Sequence, residues 1–415
     1  MSDVFRPITL PSGLTIKNRF VKAAMEENLA NAQQQPDSAL FNLYEAWAKG
    51  GVGLILTGNV MVDEYAMTGP GGVALIEQSE LTPFRRLAET VHYNGGKIVM
   101  QINHPGRQVF KSMGGKVLSP SNVALNMGKH SGLFAQPTTM TDAQISDVIK
   151  RFTTTAQRAQ QAGFDGVQIH AAHGYLLSQF LSPLTNKRDD KWGGSIENRA
   201  RLLCDIVGEI NRACGQGFSV SVKLNSADFQ RGGFDIDDAQ VVVSQLSELA
   251  VDFVELSGGS YEAPAMQGRS ADDRTLAREA YFLTFAQAIA ANTSLPIMTT
   301  GGISRLVTAK QVIDGGIDLV GMASALAYQP DLVAKWQRGE APDCALPTVQ
   351  WKDKALTGLA TMALIKRQLR RLSQQKSPSK NDSPLWTLII DRWRTARLTK
   401  RYRRNVIKHS QHSAS

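Results

Sequence analysis

Gly166-Val167-Gln168-Ile169-His170-Ala171-Ala172-His173-Gly174-Tyr175 decides the architecture. Its first half is a short apolar run, and its second half turns polar and bends at a glycine. That is the layout of a buried parallel strand whose carboxyl end carries side chains for chemistry. Upstream, residues 142–162 repeat Ile145, Val148, Ile149, Phe152 and Ala156 at helical spacing. Downstream, residues 198–212 do the same with Leu202, Leu203, Ile206 and Ile210. The alternation recurs along the chain every 30–50 residues or so. Candidate strands are residues 20–24, 52–57, 97–102, 166–169, 219–224, 253–256, 296–299 and 319–322. Eight strands alternating with helical stretches predict an α/β fold, the (β/α)8 barrel.

Ahead of the first strand, Ile8-Thr9-Leu10-Pro11-Ser12-Gly13-Leu14-Thr15-Ile16 reads as an N-terminal β-hairpin, placed to plug the bottom of the barrel. Residues 103–140 form a long excursion after the third strand, and loops of that length are usually functional. The barrel domain is expected over residues 1–346 and a basic, helical C-terminal extension over residues 347–415. In the extension, Leu359, Met362, Ile365, Leu369 and Leu372 repeat at helical spacing. A polar Pro/Ser linker follows at residues 377–384, and then Trp386, Ile390 and Trp393 repeat in the same way.

Of 415 residues, 42% are hydrophobic and 20% charged, which excludes a disordered or collagen-like chain. Cys204, Cys214 and Cys344 form no paired motif for zinc or an iron–sulfur cluster, and a reduced, cytoplasmic compartment is expected. The first seven residues lack a signal-peptide layout, and no apolar stretch approaches the roughly 18 residues of a membrane span. The net charge of +9 is unevenly placed: the extension holds 16 Lys and Arg against 3 acidic residues, and the remainder nets −4. Such an arm is expected to be a solvated face or a homo-oligomer contact, ahead of nucleic acid or a membrane surface. Its removal is expected to lower oligomer order and to leave the barrel's chemistry largely intact.

Reacting groups in such a barrel sit at the carboxyl ends of strands. His170 and His173 suit donation of two hydrogen bonds to one oxygen, and Tyr175 suits proton delivery. A buried structural histidine or a metal pair also fits the two imidazoles, but nothing at ligand spacing completes a metal shell, and no metal is expected. Gln101 offers a donor and an acceptor, which suits a heterocycle edge or a satisfied strand end. Gly301-Gly302 and Ala323-Ser324 follow the seventh and eighth strands, where barrels bind phosphate through backbone N–H groups. Lys223 ends an otherwise apolar strand, either to balance charge on a bound ring or to pair with a neighbouring carboxylate.

Further runs join these residues: Lys17-Asn18-Arg19-Phe20-Val21, Ala23-Ala24-Met25, His104-Pro105-Gly106-Arg107, Ser178-Gln179-Phe180-Leu181-Ser182-Pro183, and Asn186-Lys187-Arg188-Asp189-Asp190-Lys191-Trp192-Gly193-Gly194-Ser195-Ile196-Glu197-Asn198-Arg199. Together they resemble the Old Yellow Enzyme family of flavin-dependent ene-reductases, from about residue 4 to residue 340. The resemblance implies a barrel that holds FMN non-covalently, takes electrons from NADH or NADPH and passes them to an electrophilic alkene such as an α,β-unsaturated carbonyl. It implies that Ala23, Ala24, Met25 and Glu26 lie along the flavin ring, with Asn59 beside it. Gln101 would bond the pyrimidine edge, Lys223 would face the N1/O2 side, and Gly301, Gly302, Ala323 and Ser324 would meet the phosphate. His170 and His173 would grip the substrate carbonyl, and Tyr175 would protonate Cα.

Three departures stand out. Members of that family often have Pro-Met followed by Thr or Cys where this chain has Ala24-Met25-Glu26. Ala323-Ser324 replaces a Gly-Arg phosphate contact, and Lys223 replaces an arginine, which keeps the charge and loses the planar fork. No cysteine cluster follows the barrel, so no iron–sulfur partner is expected. Two alternatives are a flavin-binding or assembly module with weak turnover, and a flavin-dependent RNA-modifying reductase. The latter rests on the basic arm, but Cys204 and Cys214 fall in or at the end of a helical stretch and not in an active-site loop. Met61, Tyr65, Tyr261 and Met266 are expected to shape the pocket.

Overall fold

The computed structural model describes residues 3–265, 279–340 and 342–407. Eight parallel strands close into a barrel: β1 (Phe20–Lys22), β2 (Leu54–Leu56), β3 (Lys97–Asn103), β4 (Gly166–Ala171), β5 (Ser219–Asn225), β6 (Phe253–Ser257), β7 (Ile297–Thr299) and β8 (Leu319–Met322). Each pairs with the next, and β8 pairs back to β1. All eight are where the apolar runs place them, with β1 and β2 trimmed at their ends. The outer ring is α1 (Ser38–Lys49), α2 (Thr82–Tyr93), α3 (Asp142–Gln161), α4 (Ile196–Cys214), α5 (Ile236–Ser247), α6 (Leu283–Ala290), α7 (Leu306–Asp314) and α8 (Leu332–Gln337). Asp37, Thr141, Ser195 and Asp235 cap the first turns of α1, α3, α4 and α5 with side-chain oxygens. Each such cap contributes about 1 kcal/mol.

Alternation along the strands divides the interior into layers. Val21, Leu54, Val99, Phe253, Met298 and Leu319 pack with Leu10 and Ile16 of the hairpin, an apolar floor at the amino end. Ser12 fastens this plug to the foot of β6, donating from its N–H and hydroxyl to the Asp252 carboxylate at 2.7 and 2.6 Å. Two residues further along β3, β5 and β6 stand Gln101, Lys223 and Glu255, and two further still Asn103, Asn225 and Ser257. The mouth is therefore polar while the floor is dry.

The extension forms α9 (Lys354–Ser373) and α10 (Pro384–Tyr402), and both lie on the chain's own barrel. α9 packs on α1, where Asn42 donates to the Ser373 carbonyl at 3.0 Å. α10 runs along the rim of the mouth. Arg394 and Arg401 donate to the carbonyls of Asn28 and Ala30 at 2.9 and 2.7 Å, and the Tyr402 hydroxyl donates to that of Glu64 at 2.9 Å. Tyr402 and Val406 are buried among Met61, Met67, Val109 and Met113. Met61 and Tyr65, expected to shape the pocket, instead form part of this socket. Leu369 and Leu372 turn inward, but Leu359, Met362, Trp386, Ile390 and Trp393 are exposed. No helix among the described residues is long and apolar enough to cross a membrane.

The excursion after β3 is folded: Leu118–Ser119 pairs with Thr138–Thr139, and Phe110 stacks on Phe134 at 4.7 Å. Arg107, near its start, meets Glu262 of the β6 loop at 2.5 Å.

Candidate active site

His170 is the penultimate residue of β4, and the chain then reverses sharply. His173 (φ +61°) and Gly174 (φ +74°) both adopt left-handed backbone. A Cβ on Gly174 would crowd Ser260 and Gln108. For histidine that conformation stores roughly 1–3 kcal/mol of strain, and three contacts hold it. Its N–H donates to Asn225 Oδ1 at 3.1 Å, its carbonyl accepts from Gln108 Nε2 at 3.0 Å, and its Nε2 shares a 2.7 Å hydrogen bond with Ser257 Oγ. The turn gathers three rings: His170 lies 5.0 Å from His173 and 4.9 Å from Tyr175, edge-on at 89°.

Burial sets their protonation. His170 Nδ1 accepts from the Ala172 N–H at 3.2 Å, which places the neutral ring's proton on Nε2. Burial, reinforced by the Lys223 ammonium, holds both imidazoles well below their ordinary range. They are neutral donors at pH 7. Burial, then the neighbouring Tyr261 and Glu26, pushes the Tyr175 phenol well above its ordinary value. Its Oη is 3.2 Å from that of Tyr261. Tyr175 therefore keeps its proton until a strong acceptor arrives.

Beneath the rings runs a buried polar chain. Gln101 Nε2 donates to Gln168 Oε1 at 2.7 Å, Gln168 Nε2 donates to Glu255 Oε2 at 3.0 Å, and Lys223 Nζ donates to Glu255 Oε1 at 2.6 Å. Lys223 thus has a carboxylate partner, one of the two readings its sequence left open. Strand register also sets it beside His170. The Gln101 carbonyl accepts from no described side chain, so its acceptor is available to a ligand.

Ala23 donates from its N–H to Met322 O at 2.8 Å, fixing the segment after β1 against β8. Ala24, Met25 and Glu26 follow, half-buried. Glu26 accepts from Thr68 Oγ1 at 2.8 Å. Glu27 turns the other way into the wall, where Tyr44 Oη donates to it at 2.8 Å and Lys22 lies 3.8 Å off. Burial pushes the Lys22 ammonium down to about 8. Asn59 is half-buried just beyond β2. Gly301 and Gly302 have φ of +121° and +73°, and side chains there would overlap Tyr281. The backbone N–H groups of Gly301, Gly302, Ala323 and Ser324 donate to no acceptor among the described residues.

The sequence reading missed Gln168, Glu255, Ser257 and Tyr281. A signal existed for Glu255, a charge inside the apolar run Phe253-Val254-Glu255-Leu256, and for Gln168 likewise. Tyr261, anticipated only as a loop residue, is the hydrogen-bond partner of Tyr175. Met266 lies outside the described residues.

A family model described as the NADH:flavin oxidoreductase / NADH oxidase family matches residues 3–342. The chain belongs to that family. Among relatives, the NADH-dependent flavin oxidoreductase nadA of Aspergillus parasiticus is 34% identical over 377 residues, 87% of this chain and 83% of the relative. A solved complex of 2-naphthoyl-CoA reductase with 2-naphthoyl-CoA superposes with a TM-score of 0.74 at 26% identity, covering 81% of this chain and 52% of that one. The old yellow enzyme homologue from Zymomonas mobilis shares the fold, with a TM-score of 0.71 at 23% identity over 82% of this chain and 94% of that one. This NADH:flavin oxidoreductase is accordingly a flavin-dependent, NADH-linked enzyme.

The residues at the mouth fit the flavin that membership implies. A free amide carbonyl at Gln101 and a cation at Lys223 suit the polar edge of its ring. Four backbone donors after β7 and β8, without an acceptor among the described residues, suit an anionic tail.

Proposed function

We propose that this oxidoreductase is an FMN-dependent ene-reductase that draws on NADH or NADPH to saturate an activated C=C bond, as in an α,β-unsaturated carbonyl. The observation that carries the proposal is the convergence of two neutral imidazoles and a neutral phenol on one side of the mouth, next to Lys223. FMN, when bound, supplies hydride transfer between nicotinamide and alkene. Ala23, Ala24, Met25, Glu26 and Asn59 would line its ring, Gln101 its pyrimidine edge and Lys223 its N1/O2 side. Gly301, Gly302, Ala323 and Ser324 would hold its phosphate.

The side chains have distinct tasks. His170 and His173 donate to the substrate's carbonyl oxygen, where negative charge grows as the double bond is lost. Donors aimed at charge that exists mainly in the transition state raise the rate and not only the affinity. A neutral imidazole in a buried site next to an ammonium holds its N–H, so the proton for Cα comes from Tyr175. Tyr261, hydrogen-bonded to Tyr175, is placed to restore it.

The test is oxidation of NADH and of NADPH by the flavin-loaded protein with 2-cyclohexen-1-one as acceptor, in the absence of oxygen. Turnover that collapses in Tyr175→Phe and His170→Ala supports the assignment. Flavin-loaded protein that turns over with neither nicotinamide would leave a flavin-binding module in its place.

A further inference from the structure

α10 is amphipathic in the reverse of the usual sense. Its inward side meets the barrel through polar groups: Thr387 is buried, Asp391 pairs with Arg370 of α9 at 2.9 Å, and Arg394 and Arg401 bind backbone carbonyls of the rim. Its outward side carries Leu385, Trp386, Ile389, Ile390 and Trp393, one continuous helical stripe, with Trp386 66% and Trp393 62% exposed. A soluble surface does not leave such a stripe bare without a partner.

Charge identifies the partner. Arg392, Arg397, Lys400, Arg403 and Arg404 are exposed along and beyond the stripe, and the Arg397 guanidinium stacks over Trp393 at 4.7 Å. A groove beside it is lined by Arg370, Arg394, Arg397 and Arg401 together with Ile390 and Trp393. The single carboxylate of α10, Asp391, faces Arg370 and is neutralised there. Two copies of this face laid together would oppose cation to cation. A nucleic acid would take the guanidiniums and leave Leu385 and Ile389 in water. A surface that is both anionic and apolar satisfies the whole face.

We propose that the outward face of α10 docks on an anionic lipid bilayer. Leu385, Ile389 and Ile390 enter the acyl boundary, the two tryptophans lie at headgroup depth, and the arginines pair with lipid phosphates. The helix lies in the interface and does not span it. Its other side braces the loop after β1, so docking sets the rim of the active site beside the lipid surface.

The test is co-sedimentation of the full-length, flavin-loaded protein with phosphatidylcholine vesicles, with and without phosphatidylglycerol. The expected result is pelleting with the anionic vesicles alone, a blue shift of tryptophan emission, and weakening as salt shortens the Debye length. Trp386→Ser/Ile390→Ser/Trp393→Ser is expected to lower the bound fraction severalfold while flavin content and circular dichroism stay unchanged. Arg397→Glu/Arg404→Glu, which spares the stripe, is expected to abolish the preference for anionic lipid. Absence of pelleting with anionic vesicles overturns the proposal. So does an assembly in light scattering that the triple serine variant dissolves, which assigns the face to a second copy. RNA binding that persists in that variant, without lipid binding by the parent, also overturns it.

Discussion

The Lys366 ammonium stands 3.8 Å from the Glu26 carboxylate, across the contact between the C-terminal extension and the segment that follows β1. An element outside the barrel thus brings a cation to the residue proposed to border the flavin. Both side chains are about a quarter exposed, at 22% and 26%, and water screens the pair. Its worth to stability is roughly 0–1 kcal/mol.

Glu26→Gln is expected to raise the potential of the bound flavin, because a negative charge beside the ring opposes its reduction. Lys366→Met is expected to lower it, because a cation near the ring is lost. Spectroelectrochemical titration of both variants checks this pair of signs. Potentials unmoved in both would remove Glu26 from the flavin's surroundings.

Tyr175→Phe is expected to slow alkene reduction by about 10²–10⁴-fold, the usual contribution of a positioned proton donor. His170→Ala should cost about 10²–10³-fold through loss of a donor to the developing oxyanion. Stopped-flow absorbance separates the two half-reactions, and reduction by nicotinamide should be little changed in Tyr175→Phe. Equal slowing of both halves would show that the phenol only shapes the pocket.

Buried His104 and His170, with half-buried His173, make acid destabilising. Burial pushes His104 down to about 4 and holds His170 and His173 well below 6.5. As pH falls below 6.5, the unfolded chain binds protons that the native state refuses, so the folded state loses ground. The slope approaches 1.4 kcal/mol per pH unit for each histidine, at roughly full titration of the unfolded chain. Well above 6.5 their contribution to the pH dependence fades. Urea midpoints at about pH 7.5 and about pH 5.5 should differ, with a smaller gap in His104→Gln. A midpoint that stays level would contradict the assignment.

Ser324 is the one side chain in the proposed phosphate site able to donate. A hydrogen bond to a charged acceptor contributes about 1.5–3 kcal/mol, so Ser324→Ala should weaken FMN binding roughly 10- to 100-fold. Riboflavin, which lacks the phosphate, should be insensitive to the change. Fluorescence titration with both flavins decides it, and equal affinity of the native protein for the two would rule the site out.

The eight strands were readable because parallel strands buried on both faces are apolar throughout, and that needs no knowledge of neighbours. His170, His173 and Tyr175 were readable because one turn contains all three. Gln168 and Glu255 gain their meaning only from register, which puts Gln101 against Gln168 and Lys223 against Glu255 across neighbouring strands, 67 and 32 residues apart. The stripe of Trp386, Ile390 and Trp393 announced a helix, but periodicity is silent about which way a stripe faces. Here it faces out. The same blindness hid the socket for Tyr402, and with it the extension's hold on the rim.

That hold joins Tyr402 to Glu64 over 338 positions of chain. Loops at a barrel's rim open locally at lower free energy than the buried strands beneath them. Amide exchange around residue 64 is therefore expected to outrun exchange in β4, and equal protection would contradict this. The barrel and its rim would then be separate cooperative units in one chain. Substitutions at Tyr402 or Val406 would then loosen the rim and leave the turn from His170 to Tyr175 untouched.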